Sequence, residues 1–421
     1  MCPRPRSERV VGARVVVIGA GHAGVQAADA LRAGGHDGPI ILVGDEPVLP
    51  YQRPPLSKEH LAPGGTAAPL PLRAERFFTD RRIELRTGVT ATALDRTARN
   101  VLLDDGAALP YDVLVLATGA ANRVPAVPGA DLAGIHALRT LGDAQELRAG
   151  LSRARSVLVV GGGFVGLEVA AAARAHGQAV TVLEAADRPL ARALSREAAC
   201  HVAEAHRRAG TDLRLGEGVA AFTGRRGRVT GAVSSAGTDY RADLVLVGTG
   251  VVPRTALAAG AGLPVADGIV VDECLRTPDP AIYAVGDCAS HPSGHTGTRI
   301  RLESVQNATG QGRHVAAAIL GDARPYDDVP WFWSHQGALK LQIAGVRLPG
   351  DEDVLSGDPA AGRFSVCCFR DGRLVAVESL NRPTDHMAAR RLLAAGRSPD
   401  PGQLRDPAFC LKAFAREPAV A

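Results

Sequence analysis

The stretches RVVVIGAGHAG (residues 14–24) and RSVLVVGGGFVG (residues 155–166) decide the fold of this 421-residue chain. Each is a β-branched apolar run followed at once by the spacing GxGxxG and then by an alanine-rich stretch of helical character. A buried strand, a glycine turn and a helix in this order form the phosphate-binding start of a dinucleotide-binding unit. Because the pattern occurs twice, the sequence predicts two such units.

The glycines of each turn have separate tasks. The first permits the bend, the second admits a pyrophosphate close to backbone N–H groups, and the third lets the helix pack on the strand. Two sites in one chain imply two dinucleotides, most economically FAD and NAD(P)H. The candidate glycines are Gly19, Gly21 and Gly24 in the first copy and Gly161, Gly163 and Gly166 in the second.

Each copy contains a second apolar run that ends in an acidic residue. PIILVGD ends at Asp45 and AVTVLE ends at Glu184, about 20 residues after the last glycine of each turn. A carboxylate at this distance can accept hydrogen bonds from ribose hydroxyls. Glu46 is an alternative to Asp45 for this contact.

Glu184 also bears on the choice of nicotinamide cofactor. A carboxylate accepts from a free 2′-hydroxyl and repels a 2′-phosphate, which favours NADH over NADPH. Arg188 and Arg192 follow closely in the sequence and are the alternative, since either can receive the phosphate.

The alternation of strands and helices predicts an α/β fold with doubly wound parallel sheets. The two copies close on the matching strands YDVLVLATG (111–119) and RADLVLVGTG (241–250). A buried strand over 282–285 and a helix over 303–320 follow. Beyond the polar, turn-rich residues 321–330, strand-like segments and a helix over 383–395 predict a third, α+β domain.

The composition excludes several classes of protein. With 46% hydrophobic and 22% charged residues the chain is neither disordered nor fibrous, and no apolar stretch approaches the roughly 18 residues of a membrane span. Residues 1–14 lack the apolar core of a secretory signal. The arginines are scattered, so we expect no nucleic-acid partner. The seven cysteines form no CxxC pair, which predicts free thiols in a reducing cytoplasm, no redox-active dithiol and no metal site.

Further strings make the chain similar to a known family. They are LVGDEPVLPYQRPPLSK (42–58), ATG (117–119), GGGFVGLE (161–168), AVGDCA (284–289), LESVQNA (302–308) and PWFWSHQGALKLQIAG (330–345). Together they resemble the FAD-dependent, NADH-utilising ferredoxin reductases, which include the putidaredoxin-reductase-like enzymes and the reductases of aromatic-ring dioxygenases. The match is collinear from about Val15 to Pro383.

The resemblance implies a glutathione-reductase-like fold and a set of FAD contacts. An FAD domain over 1–118 and 251–325 is interrupted by an NAD domain over 119–250, and a C-terminal interface domain covers 326–421. Asp287, at the end of a buried strand, can accept from ribityl hydroxyls. The implied FAD contacts are Ala23, Asp45, Lys58, Ala91, Arg139, Asp287 and Val305.

Three side chains are implied at the hydride-transfer site: Lys58, Glu168 and Trp333. Residues 54–57 stiffen the approach to Lys58 and predict the start of a helix. The resemblance pairs Lys58 with Glu168 beside the flavin and places Trp333 against the flavin ring. A buried pair of this kind is costly unless well bonded, which suggests a catalytic role. Read alone, Lys58 fits an exposed surface, and Trp331 is left open between core packing and function.

The implied activity is hydride transfer from NADH to FAD, followed by single electrons to a small acidic iron–sulfur ferredoxin. That ferredoxin serves a cytochrome P-450 or a ring-hydroxylating dioxygenase. One alternative is an NADH oxidase or peroxidase, although these need a cysteine near the flavin and residues 50–58 have none. The other is an apoptosis-inducing-factor-like scaffold that binds NADH without turnover.

Basic residues are expected where the ferredoxin binds, and two positions depart from the family pattern. An acidic ferredoxin favours a basic surface on the reductase, for which Arg313, Lys340 and, third, Arg73 are the candidates. The family commonly has Asp at the position of His335 and Asn at the position of Arg254.

Overall fold

A computed structural model describes residues 12–66, 68–406 and 408–417. Cys2 and most of the N-terminal segment that we expect not to be a secretory signal lie outside these residues. The chain divides into two compact units. The first unit comprises the described residues of Met1–Gln52, Leu70–Ala121 and Val252–Pro330, and the second those of Arg53–Pro69, Asn122–Val251 and Trp331–Ala421.

The first unit is built on a five-stranded parallel sheet. In spatial order its strands are Ile83–Thr87, Ile40–Gly44, Val15–Ile18, Val113–Leu116 and Ile282–Ala284. Val15, Val17 and Leu114 are fully buried in the hydrophobic core of this unit. Near-continuous apolar runs of this kind occur in parallel sheets that are covered on both faces.

Helices and smaller sheets complete the first unit. Its helices are His22–Ala33, Glu75–Asp80, Ala256–Gly260 and Val305–Ile319, with a 3₁₀ turn at Gly286–Cys288. One small sheet contains Ala91–Asp95, Asn100–Leu103 and Ala108–Pro110, and another contains Ile269–Val270, Ala289–Pro292 and Arg299–Ile300. The short strands Ala120–Asn122 and Val251–Pro253 lie at sequence positions where the division between units falls.

The second unit repeats the parallel sheet. In spatial order its strands are Thr211–Leu215, Ala179–Glu184, Ser156–Val160, Leu244–Val247 and Ile135–His136. A three-stranded antiparallel sheet of Val219–Arg225, Arg228–Ser234 and Asp239–Arg241 packs against it through a shared hydrophobic cluster. The helices of this part are Leu141–Leu151, Phe164–Ala175 and Arg196–Arg208, with a 3₁₀ turn at Pro54–Ser57.

The C-terminal part of the second unit is a five-stranded antiparallel sheet with helices packed on it. In spatial order its strands are Trp331–Gln336, Leu339–Gly345, Arg373–Leu380, Arg363–Arg370 and Glu352–Asp358. Its helices are Pro383–Ala394 and Leu411–Phe414, with a 3₁₀ turn at Gln403–Arg405. Val377, Phe369 and Ala389 lie in the hydrophobic cluster between sheet and helices.

The predicted fold class is confirmed, because two parallel sheets with glycine turns precede an antiparallel C-terminal sheet. The helices predicted over 303–320 and 383–395 are present within these limits. One local prediction holds for a single turn only: residues 54–57 do start a helix, but it is a 3₁₀ turn that does not extend to Lys58. The two prolines start a 3₁₀ turn over Pro54–Ser57, and the backbone leaves the helical region at Lys58, where ψ is −102°. The three-domain division stays a prediction.

Candidate functional site

The first glycine turn leaves an open space at the edge of the first unit's sheet. Gly19 has φ of +113°, and a Cβ there would clash with the carbonyl oxygen of Ala117. Among the residues that the structure describes, a Cβ on Gly21 would meet nothing within 4 Å, so the turn is open to them at this point. Gly24 packs directly on Gly19, and the helix His22–Ala33 begins here. The N–H groups of its first turn point to the helix start, where a phosphate can bind.

Asp45 directly follows the strand Ile40–Gly44 and faces an arginine. Arg254 Nη1 lies 2.6 Å from Asp45 Oδ2, and both side chains are 44% exposed. The main chain of Arg254 is fixed, since its oxygen accepts from Thr118 Oγ1 at 2.6 Å. Asp45 keeps acceptor capacity on Oδ1 for a ribose hydroxyl. Glu46, the alternative, accepts from the hydroxyl of Tyr51 at 2.6 Å.

Two further candidate FAD residues lie close to the first turn. The 3₁₀ turn that contains Asp287 is fixed by Gly286, whose N–H donates to Gln311 Oε1 at 2.7 Å. A Cβ on Gly286 would lie 3.1 Å from the Cβ of Ala23. The turn that contains Asp287 therefore lies against the start of the helix His22–Ala33, where Ala23 is.

The remaining first-unit candidates begin regular elements. Val305 begins the helix Val305–Ile319, and Ala91 begins the strand Ala91–Asp95. An open glycine turn with helix N–H donors and two carboxylates together fit a bound FAD.

The second glycine turn has the same construction. Gly161 has φ of +107°, and a Cβ there would lie 2.5 Å from the carbonyl oxygen of Gly248. A Cβ on Gly166 would clash with the carbonyl oxygen of Gly161. Gly163 precedes the helix Phe164–Ala175, and a Cβ there would have Gly248 O, at 3.7 Å, as its one neighbour within 4 Å among the described residues. This turn is equally suited to a pyrophosphate.

The Glu184 carboxylate is hydrogen-bonded to the backbone of the second glycine turn. Its Oε2 accepts from the N–H of Gly162 at 2.6 Å and its Oε1 from the N–H of Ala186 at 2.8 Å. The guanidinium of Arg188 is bonded instead to Asp187 at 2.9 Å. Glu184 is thus fixed beside the second turn by two backbone N–H groups, while Arg188 is paired with an acidic neighbour.

Lys58 and Glu168 form a buried ion pair. Lys58 Nζ lies 2.7 Å from Glu168 Oε2, and the two side chains are 12% and 5% exposed. Two hydroxyls add to the pair: Ser57 donates to Oε2 and Ser334 donates to Oε1, each at 2.5 Å. The carboxylate therefore has a donor on each oxygen besides the lysine, which offsets the cost of burying it.

The two tryptophans lie in different surroundings on the strand Trp331–Gln336. The ring centre of Trp333 is 5.2 Å from Lys58 Nζ and 5.1 Å from the His335 ring. Trp331 is half-buried and stacks under the guanidinium of Arg390 at 4.1 Å. Of the two, Trp333 is beside the ion pair. Burial first, then the charges of Lys58 and Lys340, lower the pKa of His335.

Arg139 belongs to the second unit, just before the helix Leu141–Leu151. Its N–H donates to Asp143 Oδ2 at 2.8 Å, and its carbonyl oxygen accepts from Arg53 Nη1 at 2.6 Å. Its role as an FAD ligand stays a prediction, as do the roles of the other candidate residues.

Sequence reasoning missed Ser57, Ser334 and the contact of Arg254 with Asp45. The partners are 111, 166 and 209 residues apart in the chain, so no local spacing connects them. The available signal for Ser334 is a small polar residue directly after three aromatic residues in the run WFWS.

The described residues contain neither a helix with the length and apolar character for a membrane crossing nor a cluster of three or more potential metal ligands. The six described cysteines are free thiols.

Two family models match the chain. Residues 13–312 match the pyridine nucleotide-disulphide oxidoreductase family, and residues 331–415 match the reductase C-terminal domain. The chain is 49% identical to rhodocoxin reductase of Rhodococcus erythropolis over 94% of its own length and 93% of that protein's.

Solved structures show the same likeness over nearly the whole chain. The ferredoxin reductase for the CYP199A2 system from Rhodopseudomonas palustris is 45% identical with a TM-score of 0.93, covering 96% of this chain and 100% of the other. The covalent putidaredoxin reductase–putidaredoxin complex is 39% identical with a TM-score of 0.92, covering 97% and 100%.

Proposed function

We propose that this chain, which belongs to the pyridine nucleotide-disulphide oxidoreductase family and carries its reductase C-terminal domain, is an NADH-dependent FAD flavoprotein that reduces a small acidic iron–sulfur ferredoxin. The ferredoxin would in turn serve a cytochrome P-450 or a ring-hydroxylating dioxygenase. The observation that carries the proposal is the pair of open glycine turns, with Glu184 hydrogen-bonded to the second turn and Asp45 directly after the strand that pairs with the one before the first turn, in a chain without a CxxC pair.

FAD, when bound, accepts a hydride from NADH and releases electrons one at a time. The chain's own residues bind and orient the two dinucleotides. Gly19, Gly21 and the helix that starts at His22 admit the FAD pyrophosphate, and Asp45 accepts from its ribose. Asp287 accepts from the ribityl hydroxyls. Oxidoreductases of this fold that act on disulfides need a dithiol, and the spacing of the cysteines does not provide one.

The second unit holds NADH. Gly161, Gly163 and the start of the helix Phe164–Ala175 receive the pyrophosphate, and Glu184 accepts from the 2′-hydroxyl of the adenosine ribose. NADH is preferred to NADPH because the 2′-phosphate would face a carboxylate that two backbone N–H groups hold in place. Arg188 is bonded to Asp187 and so is less able to offer a phosphate site.

The Lys58–Glu168 pair serves the hydride step. A buried ammonium held by a buried carboxylate is a fixed point charge in a region of low dielectric constant, where its field on the reacting rings is stronger than in water. Trp333, with its ring beside the Lys58 ammonium, supplies the aromatic face for stacking.

The residues that we propose to meet the ferredoxin are basic. Arg313 is exposed on the helix Val305–Ile319, and Lys340 is exposed on the strand Leu339–Gly345. Arg73 is bonded to Asp29 at 2.7 Å, so its charge is largely offset and it contributes least of the three. Positive charge at these positions raises the rate of encounter with an acidic ferredoxin. We also propose a cytoplasmic location, which the free thiols support.

The cofactor assignment is tested on the purified protein. It should be yellow, acid should release intact FAD and not FMN, and anaerobic NADH should bleach the flavin band. Folded, colourless protein that fails to rebind FAD contradicts the assignment. Bleaching by NADH without any later electron transfer to ferredoxins would favour the NADH-binding scaffold instead.

A further inference from the structure

A chain of buried hydrogen bonds connects Glu168 with His206. From the carboxylate outward, Ser334 Oγ lies 2.5 Å from Glu168 Oε1, Gln336 Nε2 lies 2.8 Å from Ser334 Oγ, and His206 Nε2 lies 3.1 Å from Gln336 Oε1. All four side chains are at most 6% exposed. This series of hydrogen bonds thus runs through the interior of the second unit, from the ion pair to the helix Arg196–Arg208.

The direction of donation along this chain is fixed. Gln336 Nε2 also lies 3.4 Å from the carbonyl oxygen of Phe164, which accepts only, so the amide NH₂ faces Ser334 and Phe164. The amide oxygen then faces His206, whose Nε2 must carry the hydrogen. Ser334, which accepts from Gln336, is left to donate to Glu168. Each donor in this hydrogen-bond series therefore points its hydrogen toward the Glu168 end.

The alternation of the strand Trp331–Gln336 explains why these side chains share one face. Phe332, Ser334 and Gln336 stand on the side of the helix Phe164–Ala175, with the Phe332 and Phe164 rings 4.5 Å apart. Successive side chains of a strand point to opposite faces, so Trp333 and His335 lie on the other side. The same strand therefore orients the carboxylate from one face and presents its aromatic residue on the other.

The His206 end of this hydrogen-bond series is also held in place. The helix Arg196–Arg208 is held to the C-terminal sheet at its start, where Ser195 Oγ donates to the buried Glu378 at 2.6 Å. Near its end His206 meets Gln336, and between them the ring of His201 lies 5.0 Å from that of Phe364. Because the helix is fixed at these points, the His206 side chain has little freedom to move. Its hydrogen bond in turn restrains the side chain of Gln336.

We propose that Ser334, Gln336 and His206 are positioning residues that hold the Glu168 carboxylate against Lys58 for the hydride step. They do not touch either dinucleotide in this role; they act through Glu168. Because the proposed function assigns the hydride step to the Lys58–Glu168 pair, this inference rests on it. Ser334 is the critical link, since its hydroxyl both accepts from Gln336 and donates to the carboxylate.

The kinetic test uses the FAD-loaded protein and anaerobic stopped-flow reduction by NADH. Ser334→Ala should lower the limiting rate of flavin reduction about tenfold, because a hydrogen bond to a buried charge is lost. The dissociation constant of NADH from the same titration should change less than about twofold, since Glu184 and the second glycine turn are intact. Gln336→Met, which keeps the hydroxyl of Ser334 but removes its donor, should have a smaller effect in the same direction.

A matched control and a double-mutant cycle separate positioning from general damage. Ser365→Ala removes another fully buried serine of the C-terminal sheet, one that donates to Asp385 at 2.9 Å, and should leave the rate unchanged. In a Lys58→Met background, Ser334→Ala should cause no further loss, because it acts through the pair. Equal losses in both backgrounds, or no loss in either, would overturn the inference.

A spectroscopic readout needs no turnover. The chain has only three lysines, Lys58, Lys340 and Lys412, so protein labelled with ¹³C at lysine Cε gives three resolvable signals, and Lys58→Met identifies that of Lys58. In the oxidised FAD-loaded protein, Ser334→Ala should shift the Lys58 signal and leave the other two in place, whereas Ser365→Ala should shift none. An unmoved Lys58 signal contradicts the proposal. A wild-type protein that NADH does not reduce would instead contradict the proposed function.

Discussion

The buried Lys58–Glu168 pair makes a prediction about stability that can be worked from its geometry. Lys58→Met leaves a carboxylate that is 5% exposed without its 2.7 Å partner. Breaking a buried pair in this way costs about 3–5 kcal/mol. The hydroxyls of Ser57 and Ser334 still donate to Glu168 at 2.5 Å, so we expect the lower limit, about 3 kcal/mol.

Removing both charges should recover most of this loss. In Lys58→Met with Glu168→Gln, a neutral amide replaces the unpaired carboxylate and can still bond to the two serines. Replacing a buried ion pair by neutral groups is often close to neutral for stability, so the double variant should lie within about 1 kcal/mol of the wild type.

The chain provides its own probe for this measurement. Trp331 and Trp333 are its only tryptophans and both lie on one strand of the second unit, so their fluorescence reports urea unfolding there. With an m-value near 3 kcal/mol per molar, Lys58→Met should lower the midpoint by about 1 M. The exposed Lys412→Met serves as the control and should shift it little.

Two outcomes would refute this reasoning. An unchanged midpoint in Lys58→Met means that the pair is not a buried, charged contact. A double variant as unstable as the single one means that the loss comes from the packing of the lysine chain and not from an unpaired charge. Where the pair acts as proposed, Lys58→Met should also slow flavin reduction by NADH.

Three further predictions concern cofactor choice, pH and the partner. Glu184→Ser removes the repulsion of a 2′-phosphate, so the ratio of kcat/KM for NADH to that for NADPH should fall by about tenfold or more; a wild type that prefers NADPH would assign the phosphate to Arg188 or Arg192 instead. Burial raises the pKa of Glu378 from 4.5 to about 7, so the stability from its protonated form is lost as pH rises between these values. As pH rises across that window, the free energy of unfolding of Glu378→Gln in urea should increase relative to that of the wild type by up to about 1.4 kcal/mol per pH unit. A difference between the two proteins that does not change with pH contradicts this. The rate of ferredoxin-dependent cytochrome c reduction should fall as salt concentration rises, and it should fall several-fold in Arg313→Glu. Direct ferricyanide reduction should change little in both cases. A loss of both activities in the variant would place Arg313 at the flavin site.

The sequence predicts the fold well because the signals are local. A β-branched run followed by a glycine turn is complete within a dozen residues, and the requirement at Gly19 for φ of +113° beside Ala117 is met by glycine almost alone. The same holds for the helix Val305–Ile319, whose start is capped by Ser304. Such patterns need no knowledge of the rest of the chain.

The arrangement around Glu168 has no such local signal. Lys58 and Ser57 come from one segment of the chain, Ser334 and its partner Gln336 from a second, and Glu168 from a third, and only the folded second unit brings them together. Even the backbone at Lys58 departs from expectation, because the Pro-Pro start favours a 3₁₀ turn that ends there. Contacts across more than a hundred residues depend on packing, which a single sequence does not encode in any spacing.

The most direct test of the central claim is an anaerobic transfer of electrons from the NADH-reduced protein to ferredoxins. The protein is reduced with one equivalent of NADH and mixed with a panel of oxidised, acidic iron–sulfur ferredoxins while the flavin and cluster absorbances are followed. We expect reoxidation of the flavin with two one-electron ferredoxins reduced per NADH consumed, and with at least one member of the panel reacting rapidly. A protein that stays reduced with every ferredoxin and is reoxidised only when oxygen or peroxide is admitted would contradict the account and favour an oxidase or peroxidase.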